Sequence, residues 1–393
     1  MAERRREARH HDPARAEQEN PVRARVQLQD RAGVIPTSIT FFFQVIIVSP
    51  MKAAVLEAVR KLVVKDVPTP KATGNMALVR VKACGICLTD YKAYSGDRTN
   101  VTFPTICGHE FAGIIEQVGD SVRFFKPGDE VICAPVANCG ICPECRKGFA
   151  QYCRYGAVIG GDGMKHVLDG AFAEYTLVPE VALFHKPKNV TFDAAALTEP
   201  LAGSYKGLIE YSQLKITEDL VIIGAGSMGL LAAMIAHRAG ANTIIMVDVS
   251  DWRLAFSKNC GATHTINSTK VDAKKAVYDI IPDGPDVVFE AAGPLSAAQL
   301  MFDLCRRGTR VNEFGVTTDG TIQISPANIH WMETRMDASF SVYPRAMQQS
   351  IKLQEKGFVD AGKIITHRLA LDKIEEGMAL MKQEHRVKVI IQP

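Results

Sequence analysis

No apolar run in the 393 residues comes near the roughly 20 that a bilayer-spanning helix needs; the longest is the short stretch FFFQVIIV at 41–48. A transmembrane helix is therefore not expected. Charge of one sign is lacking too: 46 Lys and Arg stand against 43 Asp and Glu, and the excess of +3 is too small to draw the chain to nucleic acid or an anionic surface. Ten cysteines are too few for a disulfide scaffold at this length, and eight of them fall between Cys84 and Cys153. Clustering of that kind points to metal. Internal repeats and low-complexity linkers are also missing, so the fold must come from ordinary globular domains. At 42.9 kDa the chain exceeds what a single hydrophobic core serves, and two domains are expected.

The first 50 residues differ from the rest. Residues 1–31 are densely charged with mixed sign and have no hydrophobic periodicity, which favours disorder. FFFQVIIV comes too late for a secretory signal, and the scattered acidic residues count against a mitochondrial transit peptide. We read 1–50 as a dispensable leader, with translation from Met51 as an alternative start and the cytoplasm as the expected location.

From Met51 to about Val178 short apolar runs alternate with Gly, Pro and Asp turns (KAAVLE, KLVVKDV, ALVRVKA, FAGIIEQVG, DEVICAP, AFAEYTLVP), the pattern of a β-rich domain. Near Asp219 the style changes to DLVIIGAG, SMGLLAAMIAHRAG and NTIIMVDVS, a buried strand, an apolar helix and a second buried strand. Alternation of that kind, continued through PDVVFEAAG and TRVNEFGV to about residue 340, predicts an α/β doubly wound parallel sheet. The tail from Met347 reads as a helix, a strand pair, a helix and the final strand VKVIIQP.

GAGSMG, with Gly224, Gly226 and Gly229, follows a strand and opens a helix, the context of a dinucleotide-binding turn. Its first glycine permits the turn, its second lets pyrophosphate approach the backbone, and its third lets helix pack on strand. Ser227 and Met228 lie within it, where free amides and the helix dipole favour phosphate. Asp248, nineteen residues after Gly229, ends the next strand at the spacing of a ribose-binding carboxylate. A carboxylate there repels a 2′-phosphate, so NAD is expected over NADP.

Two cysteine-bearing groups remain. Cys139, Cys142, Cys145 and Cys153 follow C-x2-C-x2-C-x7-C, close enough to surround one ion. Four thiolates make the closed shell of a structural zinc; disulfides and a nucleic-acid-reading zinc finger are the rival readings. The second group is dispersed over CGICLTD (84–90) and CGHEF (107–111). There Cys87, His109 and Glu110 offer thiolate, imidazole and carboxylate, types suited to a zinc with an open position. Singly, each could be a packed or orienting residue.

GHEFAGIIEQVG (108–119) resembles the G-H-E-x-x-G signature of the zinc-containing medium-chain alcohol and polyol dehydrogenases. The likeness runs from Met51 to Pro393 through GICLTD, KPGDEV, the four-cysteine lobe, GAFAEY, TEPL and GAGSMG in order. It implies that Cys87, His109 and Glu110 surround a catalytic zinc, and that Glu199 in TEPL contacts the metal or its water. Glu199 is similar to the sorbitol-dehydrogenase-like branch; the alcohol-dehydrogenase branch has cysteine there and threonine dehydrogenases usually have Asp-Pro-Phe. It further implies that Thr89 takes the substrate proton and that Asp248 with Arg253 holds the ribose. Lys92 departs from the pattern, standing where a relay histidine is common. Cys84 and Cys107 are read as packed thiols.

The resemblance implies a GroES-like zinc catalytic domain over 51–203 and 344–393, with a Rossmann NAD-binding domain over 204–343. Two zincs per chain, NAD, a small-molecule alcohol and a homo-oligomer (dimer or tetramer) are the implied partners; neither nucleic acid nor membrane is among them. The expected reaction is oxidation of a secondary alcohol of a polyol or sugar derivative to the ketone. Threonine 3-dehydrogenation of a hydroxy amino acid is the enzymatic alternative, and a non-catalytic zinc- and nucleotide-binding protein the alternative of another class.

Overall fold

A computed structural model describes residues 50–161, 166–316 and 320–393. The leader lies outside these apart from Pro50, and the fold below concerns only the unit that begins at Val48.

The β-rich part matches the apolar runs closely. Pro50–Ala58 and Lys61–Pro68 form an antiparallel pair, and Thr105–Ile106 adds to the free edge of the first. The larger sheet runs in the order Leu183–His185, Glu130–Cys133, Glu110–Val118, Met76–Gly85, Lys388–Gln392 and Ile365–Ala370, with Tyr175–Pro179 also paired to Met76–Gly85. Here the tail departs from expectation. Between the helices Pro344–Glu355 and Ile374–Leu380 there is one strand, Ile365–Ala370, instead of a pair; its partner is the terminal strand, which lies parallel to it. The terminal strand thereby also pairs with the centre of the larger sheet, Ile391 opposite Cys84.

The doubly wound part consists of six parallel strands: β1 (Leu220–Ile223), β2 (Ile244–Asp248), β3 (His264–Asn267), β4 (Val287–Glu290), β5 (Arg310–Glu313) and β6 (Arg335–Ala338). Their order is β3-β2-β1-β4-β5-β6. β1 and β4 are buried along their whole length, which explains why they read as unbroken apolar runs. The helix Ser227–Ala239 buries Leu230 and Leu231 completely against this sheet, worth about 1.5–3 kcal/mol for each side chain. It stops at Gly240, which takes the left-handed conformation that ends helices readily. The same hydrophobic cluster takes in Ala83, Ala112 and Ile132 of the larger sheet, Leu201 of the helix Thr198–Tyr205, and Ile222 and Phe289 of the parallel sheet. The two segments where the chain passes from one sheet to the other are tied together: buried Lys206 donates to the carbonyls of Phe340 at 2.6 Å and Ser341 at 2.8 Å. Among the described residues no helix is long and apolar enough to cross a membrane.

Candidate active site and metal centres

Cys87 precedes a short helix, Leu88–Ser95, and His109 and Glu110 stand where the strand Glu110–Val118 begins. Strand pairing sets Glu110 opposite Gly85, which carries the two segments to the same end of the sheet. Ligand atoms of Cys87, His109 and Glu110 then lie within 4.8 Å of one another. Thr89 enters the group through its hydroxyl, 3.4 Å from His109 Nε2. Glu199 stands outside this compact trio, in the first turn of the helix Thr198–Tyr205. Burial raises its carboxyl to about 7; nearby His109 works the other way and Glu110 adds to the rise. Cys84 and Cys107 are buried, and burial pushes Cys107 up to about 12, as packed thiols should behave. Lys92 lies in the last turn of the short helix, half-buried.

Two residues that sequence reasoning missed hold this arrangement. Asp90 is 3 % exposed; its carboxylate accepts from the backbone N–H of Cys87 at 2.8 Å and of Gly108 at 3.2 Å, and stands 3.4 Å from His109 Nδ1. It ties the Cys87 segment to the Gly108–His109 segment and stands beside the imidazole, an arrangement that outer carboxylates take next to metal-ligating histidines. Lys388, from the terminal strand, donates to Glu110 Oε1 at 2.6 Å and to the carbonyl of Ile86 at 3.0 Å, with Glu110 Oε2 at 2.5 Å. Burial works against its charge, but Glu110 and Cys87 keep it firmly protonated. Gly85 makes room for the pair, since a Cβ there would stand 2.4 Å from Glu110 Oε2. A lone lysine inside the apolar run VKVIIQP is the one visible hint in the sequence.

The donor set fits a divalent ion. Burial opposes charge on His109, yet the negative charges of Asp90 and Cys87 outweigh it and raise its pKa. A thiol, an imidazole and a carboxylate whose ligand atoms lie within 4.8 Å of one another are the donor types and the spacing that suit one such ion.

The four-cysteine lobe fits a metal independently. Cys142 begins the short helix Pro143–Arg146 with Pro143 in its first position, which reverses the chain toward Cys139 and Cys153. The sulfur of Cys142 lies 3.5 Å from that of Cys145 and 3.9 Å from that of Cys153. Sulfurs at the corners of a tetrahedron with metal–sulfur bonds of about 2.3 Å are about 3.8 Å apart, whereas a disulfide needs about 2.05 Å. All ten cysteines are free thiols. Backbone N–H groups also turn inward, Cys139 to the sulfur of Cys153 at 3.2 Å and Cys142 to that of Cys139 at 3.4 Å, which favours thiolates.

The glycine turn has the three properties expected of it. Gly224 adopts φ +105°, a conformation that L-residues rarely reach. A Cβ on Gly226 would meet nothing within 4 Å, so space is open where pyrophosphate would come, while a Cβ on Gly229 would stand 1.9 Å from Gly224 O. Asp248 accepts from Ala225 N at 2.6 Å and Ser250 N at 2.9 Å, which fixes it beside the turn. Ser227 donates its hydroxyl to Val387 O at 2.9 Å, and Met228 faces Gly203. Those two therefore have only backbone N–H groups to offer a phosphate. Arg253 donates to Glu384 O at 3.3 Å; no ion pair joins it to Asp248 among the described residues.

A sheet with a thiolate–imidazole–carboxylate centre, beside a doubly wound sheet with a glycine turn at its first strand, defines a metal-assisted, nucleotide-dependent oxidoreductase. Comparison with known proteins agrees. Residues 73–188 match the alcohol dehydrogenase GroES-like domain and residues 227–356 the zinc-binding dehydrogenase domain. An L-threonine 3-dehydrogenase from Marinomonas sp. (strain MWYL1) is 31 % identical over 348 residues, 86 % of this chain and 98 % of that protein. A zinc-binding dehydrogenase from Sinorhizobium meliloti 1021, bound to NADP, has a TM-score of 0.82 at 33 % identity, covering 88 % of this chain and 100 % of its own. The 2R,3R-butanediol dehydrogenase of Bacillus subtilis has 0.78 at 27 %, covering 87 % and 99 %. The chain belongs to the zinc-containing medium-chain dehydrogenase family.

Proposed function

We propose that this chain oxidises a secondary hydroxyl of a small polyol or sugar derivative to the ketone, with NAD as hydride acceptor. The observation that carries the reaction type is the convergence of Cys87, His109 and Glu110 with Thr89 at His109. Zinc, when bound by that trio, supplies acidity: coordination lowers the pKa of water from about 15.7 to about 7, and a substrate hydroxyl responds alike. NAD, when bound, accepts the hydride. Thr89 Oγ1 accepts the substrate's hydroxyl proton while releasing its own outward to solvent. Asp90 keeps the imidazole in orientation, and Glu199, whose carboxyl responds to the charges of His109 and Glu110, is proposed to act on the metal or its water. Residues 51–203 with 344–393 carry this centre, and 204–343 the nucleotide.

The polyol assignment rests on Glu199. A second reading, a hydroxy amino acid such as L-threonine, is favoured by the relatives named L-threonine 3-dehydrogenase. A dehydrogenase screen over polyols, sugar phosphates, cyclitols, 2,3-butanediol and L-threonine, with NAD and NADP in parallel, decides between them. Turnover of L-threonine alone would overturn the polyol reading. Absence of both turnover and NADH binding would leave a non-catalytic protein.

The cofactor choice rests on Asp248. Asp248→Asn keeps the shape and removes the charge that repels a 2′-phosphate, so the NADP-to-NAD ratio of kcat/KM should rise at least about tenfold. An unchanged ratio, or a wild-type enzyme that prefers NADP, refutes the assignment.

The four-cysteine lobe is proposed to hold a second, structural zinc, its closed shell leaving no room for substrate. Metal analysis should find two zincs per chain, and Cys145→Ser one. That variant should melt roughly 5 °C lower, a few kcal/mol at about 1 °C or a little more for each kcal/mol at this chain length. Fully active wild type with a single zinc speaks against it. The proposed setting is a soluble cytoplasmic homo-oligomer without nucleic-acid or membrane partners.

A further inference from the structure

The dinucleotide reading leaves one buried carboxylate without a task. Glu290 closes β4 and is 0 % exposed. A fully buried carboxylate is ordinarily matched by a cation, but no ion pair of Glu290 is found among the described residues. Three backbone donors converge on it instead. Oε1 accepts from Ala292 N and Gly293 N, both at 2.7 Å, and Oε2 accepts from Gly315 N at 3.1 Å. Ala292 and Gly293 belong to the loop after β4; Gly315 belongs to the loop after β5 and shares its N–H between Oε2 and the Glu290 carbonyl at 3.0 Å, so one residue fastens two loops together, with its side chain as the link to the first. The fit is close: a Cβ on Gly315 would stand 2.2 Å from Glu290 Oε2 and 2.5 Å from Gly293 N.

The place of these loops gives the contact its meaning. From β1 the sheet winds one way through β2 and β3, and from β4 the other way through β5 and β6. Open parallel sheets take their ligands outside the carboxyl ends of the strands at such a reversal. The glycine turn after β1 forms one side of that crevice, and the loop after β4 lies directly against it: a Cβ on Gly224 would stand 2.8 Å from Ala292 N.

We propose that Glu290 is a positioning residue for the dinucleotide, holding the loops after β4 and β5 against the Gly224–Gly229 turn and so setting the affinity for the cofactor. This inference rests on the dinucleotide reading above. Three converging donors call for a group that only accepts. An amide has one oxygen, and its NH2 would face an N–H across the gap, so Glu290→Gln breaks one anchor while keeping size and shape. The bonds to a carboxylate are also the stronger kind.

Glu290→Gln and Gly315→Ala, which crowds the same oxygen, are compared with wild type by NADH fluorescence titration, steady-state kinetics and thermal melting. Both variants should raise the Kd of NADH and the KM for NAD roughly tenfold or more, with kcat and the KM for alcohol within about twofold. A carboxylate that served stability alone would lower the melting temperature and leave the NADH Kd and the KM for NAD at wild-type values; that result overturns the proposal. Should Glu290→Gln fail to fold, Gly315→Ala decides by the same readings. Wild type that binds neither NADH nor NADPH removes the dinucleotide reading itself, a failure distinct from unaltered binding in the variants.

Discussion

Cys87→Ser is expected to lower kcat/KM by at least about 10³-fold, since stabilisation of a developing oxyanion by a metal is worth several kcal/mol and each 1.36 kcal/mol is about tenfold. The protein should remain folded. Cys87 is only half-buried and caps a short helix just past the end of a central strand, and it belongs to none of the hydrophobic clusters, so its side chain contributes little to the core. Metal content should fall by one zinc per chain, with the four-cysteine ion retained. Near-normal turnover in the serine variant, or loss of both ions together, would contradict the division into two centres.

Lys388→Met should have the second large effect, on stability. The lysine and Glu110 are 4 % and 2 % exposed at their side chains. Removing one partner of a buried ion pair typically costs about 3–5 kcal/mol, because the other charge stays behind uncompensated. A divalent ion beside Glu110 supplies positive charge of its own. The melting-temperature deficit of the variant should therefore be large after chelation and distinctly smaller with zinc restored. Equal deficits in the two states would mean that Glu110 is insensitive to the metal, and would remove it from the ligand set.

Most of the frame could be read from residue order. Strands buried on both faces announce themselves as unbroken apolar runs, as in LVII of β1, and the glycine spacing of GAGSMG follows from local backbone geometry alone. Cys139, Cys142, Cys145 and Cys153 could be grouped for the same reason, being near neighbours in the chain. Legibility ends where distant segments meet. Asp90 sits beside Thr89 in the sequence, but its role depends on Gly108 and His109 arriving from another strand. Lys388 is 278 residues from Glu110, and nothing near either residue indicates the partner. Glu290 looks like the end of an ordinary strand until the loop that follows the next strand folds back onto its carboxylate. The tail misled for a related reason. A strand's partner is chosen by the whole sheet, and Ile365–Ala370 found its own in the terminal strand.

The terminal strand also imposes an order of assembly. A ribosome adding about 5–20 residues per second needs roughly 14–56 s to travel the 278 residues from Glu110 to Lys388. Throughout that interval the nascent catalytic sheet lacks both its central strand partner and the counter-charge for a carboxylate that ends up buried. The interposed parallel sheet, made of contiguous sequence, can form first. Until that strand emerges, Cys87, His109 and Glu110 stand without the lysine that neutralises Glu110, so the geometry of the trio is complete only in the finished polypeptide.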